Sequence, residues 1–349
     1  MILDPIINKY KRIKSNSILS EVQIDYKKNY AVVGIGTHSL ATYYPLLSFL
    51  GVPVKYIVTK RPRTTPVLKN MFPAAETTTS LNEVLEDTTV GGMVICTPPD
   101  SLFAIAERCL AAKKHVLVEK PLCRSLESYQ QMKSLATTTC LLALQRRYNT
   151  INKIITSKYK LFSDCSYEAT FKTGTYPEGD ALTELFIHCL DNLVFLMGPA
   201  QVHSVQSQKL RGGKVVQALL HHASGNKGMI ELSTAQHWRL LEDKLSVHTH
   251  DAQIDLDYAA HYAGVRTLRG WKNKLSLDRL LPEAPPLKTI YQMQQMSVGF
   301  YNNSLVETGF YGLVKEFIHR TEGTAGTGYA PSDIHLLEPT FQLIAALNR

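Results

Sequence analysis

Two stretches of this 349-residue chain carry side chains of the types and spacing that proton transfer needs. In HVLVEKPL, residues 115–122, an apolar run ends in Glu119, Lys120 and Pro121. A carboxylate and an ammonium at the mouth of a buried strand must be paired, exposed or used. The proline fixes the chain just beyond them and favours a cis bond. In ALTELFIHCLDNLVFLMG, residues 181–198, Glu184 and His188 are four apart and Asp191 is three further on. On one helix these three share a face, while the other faces are Leu, Ile and Phe, so the polar stripe must look into something polar. Histidine suits acid–base work because its ordinary pKa lies near neutrality. The plainer alternative is a Glu–His pair on a helix surface. No metal site is expected, since no second ligand-bearing segment has matching spacing.

A third stretch points to a cofactor. Gly34-Ile35-Gly36-Thr37-His38-Ser39 follows an apolar strand and opens a helix. In that setting the first glycine allows the tight turn, and the second lets a pyrophosphate approach the backbone at a helix N-terminus. Ser39 stands where a third glycine or alanine is usual, which predicts slightly looser helix–strand packing. NAD-preferring sites place a carboxylate about 20 residues past the glycines. Here no Asp or Glu occurs from Tyr26 through Ala75, and the second strand runs into Thr59, Lys60, Arg61, Arg63 and Thr64. Cations and hydroxyls suit a 2′-phosphate, which favours NADP(H), with NAD possible. A solvated basic loop is the alternative.

The elements that must position these groups follow from periodicity. From Tyr30 to about residue 149, short apolar strands alternate with helical patterns, as in YAVVGIG, VPVKYIV, GGMVICT, HVLV and CLLALQRR. This predicts an α/β Rossmann domain with a doubly wound parallel sheet over 29–149. Beyond residue 150, stretches such as SYEATFK, GMIELST, LSVHTH and AQIDLDY alternate apolar and polar residues. They predict an α+β domain over 150–349 with a large open, mainly antiparallel sheet. Residues 181–198 read as one apolar helix stopped at Gly198-Pro199. Residues 271–298 read as an irregular lid or oligomer arm, and residues 1–28 as a basic N-terminal extension.

Composition excludes several classes. Hydrophobic residues at 44% and charged residues at 19% describe a soluble globular protein, and no apolar run reaches the ~20 residues of a membrane span. The N-terminus carries Asp4 in a broken apolar pattern, unlike a secretory signal. Six cysteines without CxxC pairing indicate neither a disulfide framework nor a zinc site, and fit a cytoplasmic protein. Residues 1–75 hold eleven Lys/Arg against three Asp/Glu, which accounts for the whole net charge of +8. With no base-stacking motif beside it, that excess points to a local anionic ligand rather than to nucleic acid.

The glycine turn at 34–39, Thr97-Pro98 at a strand end, Glu119-Lys120-Pro121 and LQRRYN at 144–149 occur together in order. In this combination the chain resembles the Gfo/Idh/MocA oxidoreductases over roughly residues 29–349, more weakly after 200. The resemblance implies that Lys120 projects beside the nicotinamide toward the reacting hydroxyl, that Glu119 anchors the turn, and that Thr97 and Pro98 line the cofactor cleft. It implies that one of Arg146 and Arg147, assigned as Arg147, reaches the cofactor side. The family carries an Asp-x-x-x-His pair where this chain has Glu184 and His188. His188 is then the acid/base, with the carboxylate role less secure because Glu184 is one methylene longer. Tyr176 and Asp191 are assigned to the substrate, which the convergence of polar and aromatic groups suggests is a polyhydroxylated sugar or cyclitol. The open sheet implies a covering subunit, hence a homodimer or homotetramer. The rival reading is a non-catalytic NAD(P)-binding sensor or scaffold with the same fold.

Overall fold

The computed structural model describes residues 7, 9–13, 15–16, 23–61, 65–158, 164–177, 179–267, 286–293 and 303–348. In chain order the first strands and helices are β1 (Asn29–Val33), α1 (Thr37–Ala41), α2 (Tyr43–Phe49), β2 (Val54–Val58), α3 (Pro66–Met71) and β3 (Glu76–Thr78). Next are α4 (Leu81–Glu86), β4 (Val90–Ile95), α5 (Pro99–Ala111), β5 (His115–Val118), α6 (Leu126–Leu135), β6 (Cys140–Leu142) and α7 (Thr150–Lys158). Then come β7 (Ser166–Gly174), α8 (Ala181–Glu184), α9 (Ile187–Met197), β8 (Ala200–Leu210), β9 (Gly213–His222) and β10 (Lys227–Gln236). The remainder are β11 (Glu242–His248), β12 (Ala252–Asp257), β13 (Tyr262–Thr267), β14 (Lys288–Gln292), α10 (Ser304–Glu307), α11 (Phe310–Glu322) and α12 (Glu338–Leu347). They form two compact units. The first takes Met1–Leu122, Ser134–Leu142 and Val314–Gly328; the second takes Cys123–Lys133, Ala143–Leu313 and Tyr329–Arg349.

The first unit is built on a six-stranded parallel sheet of order β3-β2-β1-β4-β5-β6. Its central strands are near-continuous apolar runs because both faces are covered, and Ala31, Val32, Met93, Val94, Val116 and Leu117 are fully buried. The strand order runs outward in both directions from β1 and β4, so their carboxyl ends lie side by side. That is the switch point at which open α/β sheets bind ligands. Below it Tyr30 fills the space that Gly92 leaves open, and its hydroxyl donates to Glu322 at 2.7 Å.

The second unit carries an eight-stranded sheet of order β14-β13-β12-β11-β7-β10-β9-β8. Every pairing is antiparallel except β10 on β7. Alternation sorts its residues by face: Tyr167, Ala169, Val216, Ala218, Leu220, Ile230, Leu232, Leu245 and Val247 are buried, while Leu219 and Met229 are exposed between them. The expected Rossmann and α+β classes are thus what the chain forms.

Three local expectations are corrected. The helix expected over 181–198 is two helices, broken at Leu185 and Phe186. LQRRYN does not continue strand β6; Gln145–Tyr148 form a turn of 3-10 helix. Within the segment expected to be irregular, Lys288–Gln292 is a regular strand paired to β13. Most of that segment, and half of residues 1–28, lie outside the described residues.

Candidate functional site

At the carboxyl end of β1 the chain turns at Gly34, whose φ is +108°. A Cβ there would fall 2.1 Å from the carbonyl oxygen of Cys96, at the neighbouring end of β4, so only glycine fits. Tyr44 secures the turn from α2 by donating to the Gly34 carbonyl at 3.0 Å. Around Gly36 the situation is opposite: no atom lies within 4 Å of the position its Cβ would take. Thr37 and His38 are exposed beside it, whereas Ser39 is buried. Its hydroxyl accepts from Gly36 N at 2.9 Å and donates to Gly36 O at 3.0 Å. Ser39 therefore ties the turn to both backbone groups of Gly36. Next to Gly34, Thr97 buries a hydroxyl with no hydrogen-bond partner among the described residues. A backbone close approach, an open surface above Gly36 and an orphaned hydroxyl at the switch point fit a dinucleotide.

The loop after β2 exposes Lys60 and Arg61, and its bend is held by Thr59 Oγ1 donating to the Arg61 carbonyl at 2.7 Å. Arg63 and Thr64 lie outside the described residues. At the end of β5, Glu119 is buried and accepts from Tyr43 at 2.6 Å through Oε1. The same oxygen lies 2.9 Å from His38 Nε2, and Oε2 accepts from the Lys120 backbone N–H at 3.2 Å. Burial first, then the Glu119 charge, pushes the Tyr43 phenol well above its ordinary value. The same causes push the Cys96 thiol up to about 12, so it is no nucleophile at neutral pH. Lys120 is half-buried beyond this cluster, and its bond to Pro121 is cis.

In the second unit Asp180 caps α8, accepting from the backbone of Leu182 and Thr183 at 3.2 Å each. The cap sets the register that buries Glu184, whose Oε2 accepts from the Tyr176 hydroxyl at 2.7 Å. Arg124 lies 3.7 Å from the other oxygen. Gly179 leaves room for this carboxylate, since a Cβ there would stand 2.3 Å from Oε1. His188 is half-buried on α9, one turn past the break. The interruption at Leu185 and Phe186 means that Glu184 and His188 do not ride one continuous helix.

Two of the expected ligand-contacting side chains are engaged by the protein itself. Asp191 is not free to take substrate: it is 1% exposed, accepts from Arg147 Nε at 2.9 Å and Nη2 at 2.6 Å, and accepts from Thr340 at 2.9 Å. Arg147 is equally committed, since its remaining nitrogen donates to the Pro331 carbonyl at 2.8 Å. Its neighbour Arg146 forms a bidentate pair with buried Asp243 and stacks on Tyr258. Both arginines are core ion pairs within the second unit. Sequence reasoning missed Tyr43, Tyr44 and Arg124, which hold Glu119, Gly34 and Glu184; their residue types alone carried no signal.

Residues 28–144 match the model of the Gfo/Idh/MocA family, described as an oxidoreductase family with an NAD-binding Rossmann fold. The matched span runs from β1 through β6, the strands of the parallel sheet. The chain is similar to scyllo-inositol 2-dehydrogenase (NADP(+)) IolW of Bacillus subtilis (strain 168), at 30% identity over 139 residues, 39% of this chain and 38% of the relative. It is also similar to galactose 1-dehydrogenase of Pseudomonas fluorescens, at 49% identity over 55 residues, 16% of this chain and 18% of the relative. The matched segments thus span well under half the length of these curated relatives. Among solved structures, a dehydrogenase from Chromobacterium violaceum aligns with a TM-score of 0.75 at 15% identity, over 92% of this chain and 94% of that one. At that identity the likeness is one of fold. No helix among the described residues is long and apolar enough to cross a membrane.

Proposed function

We propose that the protein is an NADP(H)-dependent oxidoreductase acting on a carbinol or carbonyl carbon of a small polyhydroxylated substrate, a sugar, a cyclitol or a derivative. The observation that carries this reading is the glycine turn at the switch point, where Gly34 meets the Cys96 carbonyl, Gly36 stays open and Thr97 offers an unpartnered hydroxyl. Bound NADP(H) supplies the hydride chemistry. The chain's own residues bind, orient and move the proton. Gly34, Gly36, Thr37 and His38 form the pyrophosphate edge, and Thr97 and Pro98 line the cleft. Lys60 and Arg61 take the 2′-phosphate; the lack of any carboxylate from Tyr26 through Ala75 supports this over a ribose 2′-hydroxyl. The NADP(+) named for the Bacillus subtilis relative supports it too.

On this reading Lys120 and His188 handle the proton of the reacting hydroxyl, and Glu184, itself held by Tyr176, orients one of them. Glu119, held by Tyr43, fixes the backbone from which Lys120 projects. The exposed Leu219 and Met229, directly opposed on β9 and β10, support self-association of the open sheet into a dimer or tetramer. The test is to follow NADPH absorbance with a panel of keto-sugars and ketocyclitols. The reading expects oxidation with at least one of them, dependent on Lys120. A panel-wide failure, with NADPH bound, favours the sensor alternative.

A further inference from the structure

The β8–β9 hairpin of the second unit contains an arrangement that protein stability alone disfavours. Its sequence is KLRGGK, residues 209–214, with three cations and no carboxylate. Register sets Lys209 directly opposite Lys214. Like charges opposed across an antiparallel pair repel. Gly212, with φ +94°, and Gly213, where a Cβ would stand 2.4 Å from the Thr234 carbonyl, make the turn tight and fix that register. Lys214 Nα donates to Thr234 at 3.0 Å, and Thr175 donates to the Gly212 carbonyl, so the hairpin is tied down at its base.

The side-chain period of two places both ammoniums on a defined face. Lys214 continues the row of Val216, Ala218 and Leu220, which is the buried face of the sheet. At this end of the sheet the cover stops and a cavity of about 380 Å³ opens. Lys209, Lys214, Tyr176, Leu182, Phe186 and Val216 are among its walls. A carboxylate, Asp180, also lines it, but its oxygens are taken by the Leu182 and Thr183 N–H groups and by the Thr183 hydroxyl at 2.8 Å. Neither lysine has an ion-pair partner among the described residues. Tyr176 joins the cavity to the proposed chemistry, since the hydroxyl of this lining residue reaches Glu184.

We propose that this cavity binds the anionic group, carboxylate or phosphoryl, of an acidic sugar-like substrate, with Lys209 and Lys214 as its counter-charges. The inference deepens the proposed function and rests on it for the identity of the reacting end. Both lysines are exposed at the cavity mouth, and an anion between the two ammoniums converts their repulsion into two charge-assisted contacts beside the apolar wall of Phe186, Leu182 and Val216. A neutral sugar leaves the repulsion in place. Specificity then comes from the anion.

The test is calorimetric titration of the full chain, without turnover, using inorganic phosphate, glucose 6-phosphate, glucuronate and glucose. The proposal expects at least one charged probe to bind about tenfold or more tightly than glucose, with affinity falling as salt rises. Lys209→Gln/Lys214→Gln should bring that probe down to the level of glucose, and the better of glucuronate and glucose 6-phosphate identifies the group. Lys214→Gln alone, without ligand, should hold or raise the melting temperature because repulsion is removed. Equal binding of charged and neutral probes, or charged binding untouched by the double variant, overturns the proposal. So does a lower melting temperature of Lys214→Gln with no change in affinity. Because no hydride moves in these titrations, the anion site stands or falls separately from the redox reading.

Discussion

Tyr43 donates a 2.6 Å hydrogen bond to the buried carboxylate of Glu119, joining α2 to the strand end that carries Lys120. One carboxylate oxygen thereby meets both Tyr43 and His38, while the other meets the Lys120 backbone. The phenol, pushed well above its ordinary pKa by burial and then by Glu119, remains a donor throughout the neutral range.

Tyr43→Phe keeps the ring and removes the donor, leaving a buried carboxylate short of one bond. Unfolding free energy should fall by about 1–3 kcal/mol, and Glu119→Ala in the Tyr43→Phe background should cost less than it does alone. Urea titration of the two single variants and the double variant reads the coupling. Additive losses would mean that the contact carries no energy.

Arg147 and Asp191 form a buried bidentate pair, so neither is available to ligand. Removing one partner strands a buried charge and should cost about 3–5 kcal/mol. Arg147→Ala should therefore lower the urea midpoint sharply while leaving NADPH affinity of the folded fraction unchanged. A large affinity loss in a variant of wild-type stability would return Arg147 to the cofactor.

How far the sequence speaks depends on whether a feature is local. Strands β1, β4 and β5 are legible because burial on both faces demands unbroken apolar runs, and the switch-point glycines because only glycine fits against Cys96 O. The break at Leu185 and Phe186 leaves no such mark: both are ordinary helix residues, and no Gly or Pro lies at the interruption. Asp191 sat at a plausible spacing from His188, but its partner Arg147 is 44 residues away, and periodicity does not report distant pairing. LQRRYN misled for the same reason, because Asp243 draws Arg146 inward from another strand.

Lys60 and Arg61 should set the cofactor preference. Replacing both with alanine should weaken NADPH by about 1.5–3 kcal/mol, roughly 10- to 150-fold, with little effect on NADH. Calorimetric titration of both cofactors decides it. Tighter binding of NADH by the wild type contradicts the assignment.

The open face of the second sheet should associate through the Leu219–Met229 row. Sedimentation velocity should give a dimer or tetramer at micromolar concentration, and Leu219→Glu/Met229→Glu should shift it toward monomer. A wild-type monomer would remove the subunit-cover explanation of that face.

If Lys120 acts on the reacting hydroxyl, as proposed, single-turnover NADPH oxidation by Lys120→Ala should expose the loss. Removing a positioned proton-transfer group should lower the rate by roughly two to four orders of magnitude with NADPH affinity nearly intact. His188→Ala should lose a similar amount, and the double variant less than the product of the two. Lys120→Ala that turns over at the wild-type rate, or that loses NADPH binding instead of turnover, would remove Lys120 from the proton-transfer role.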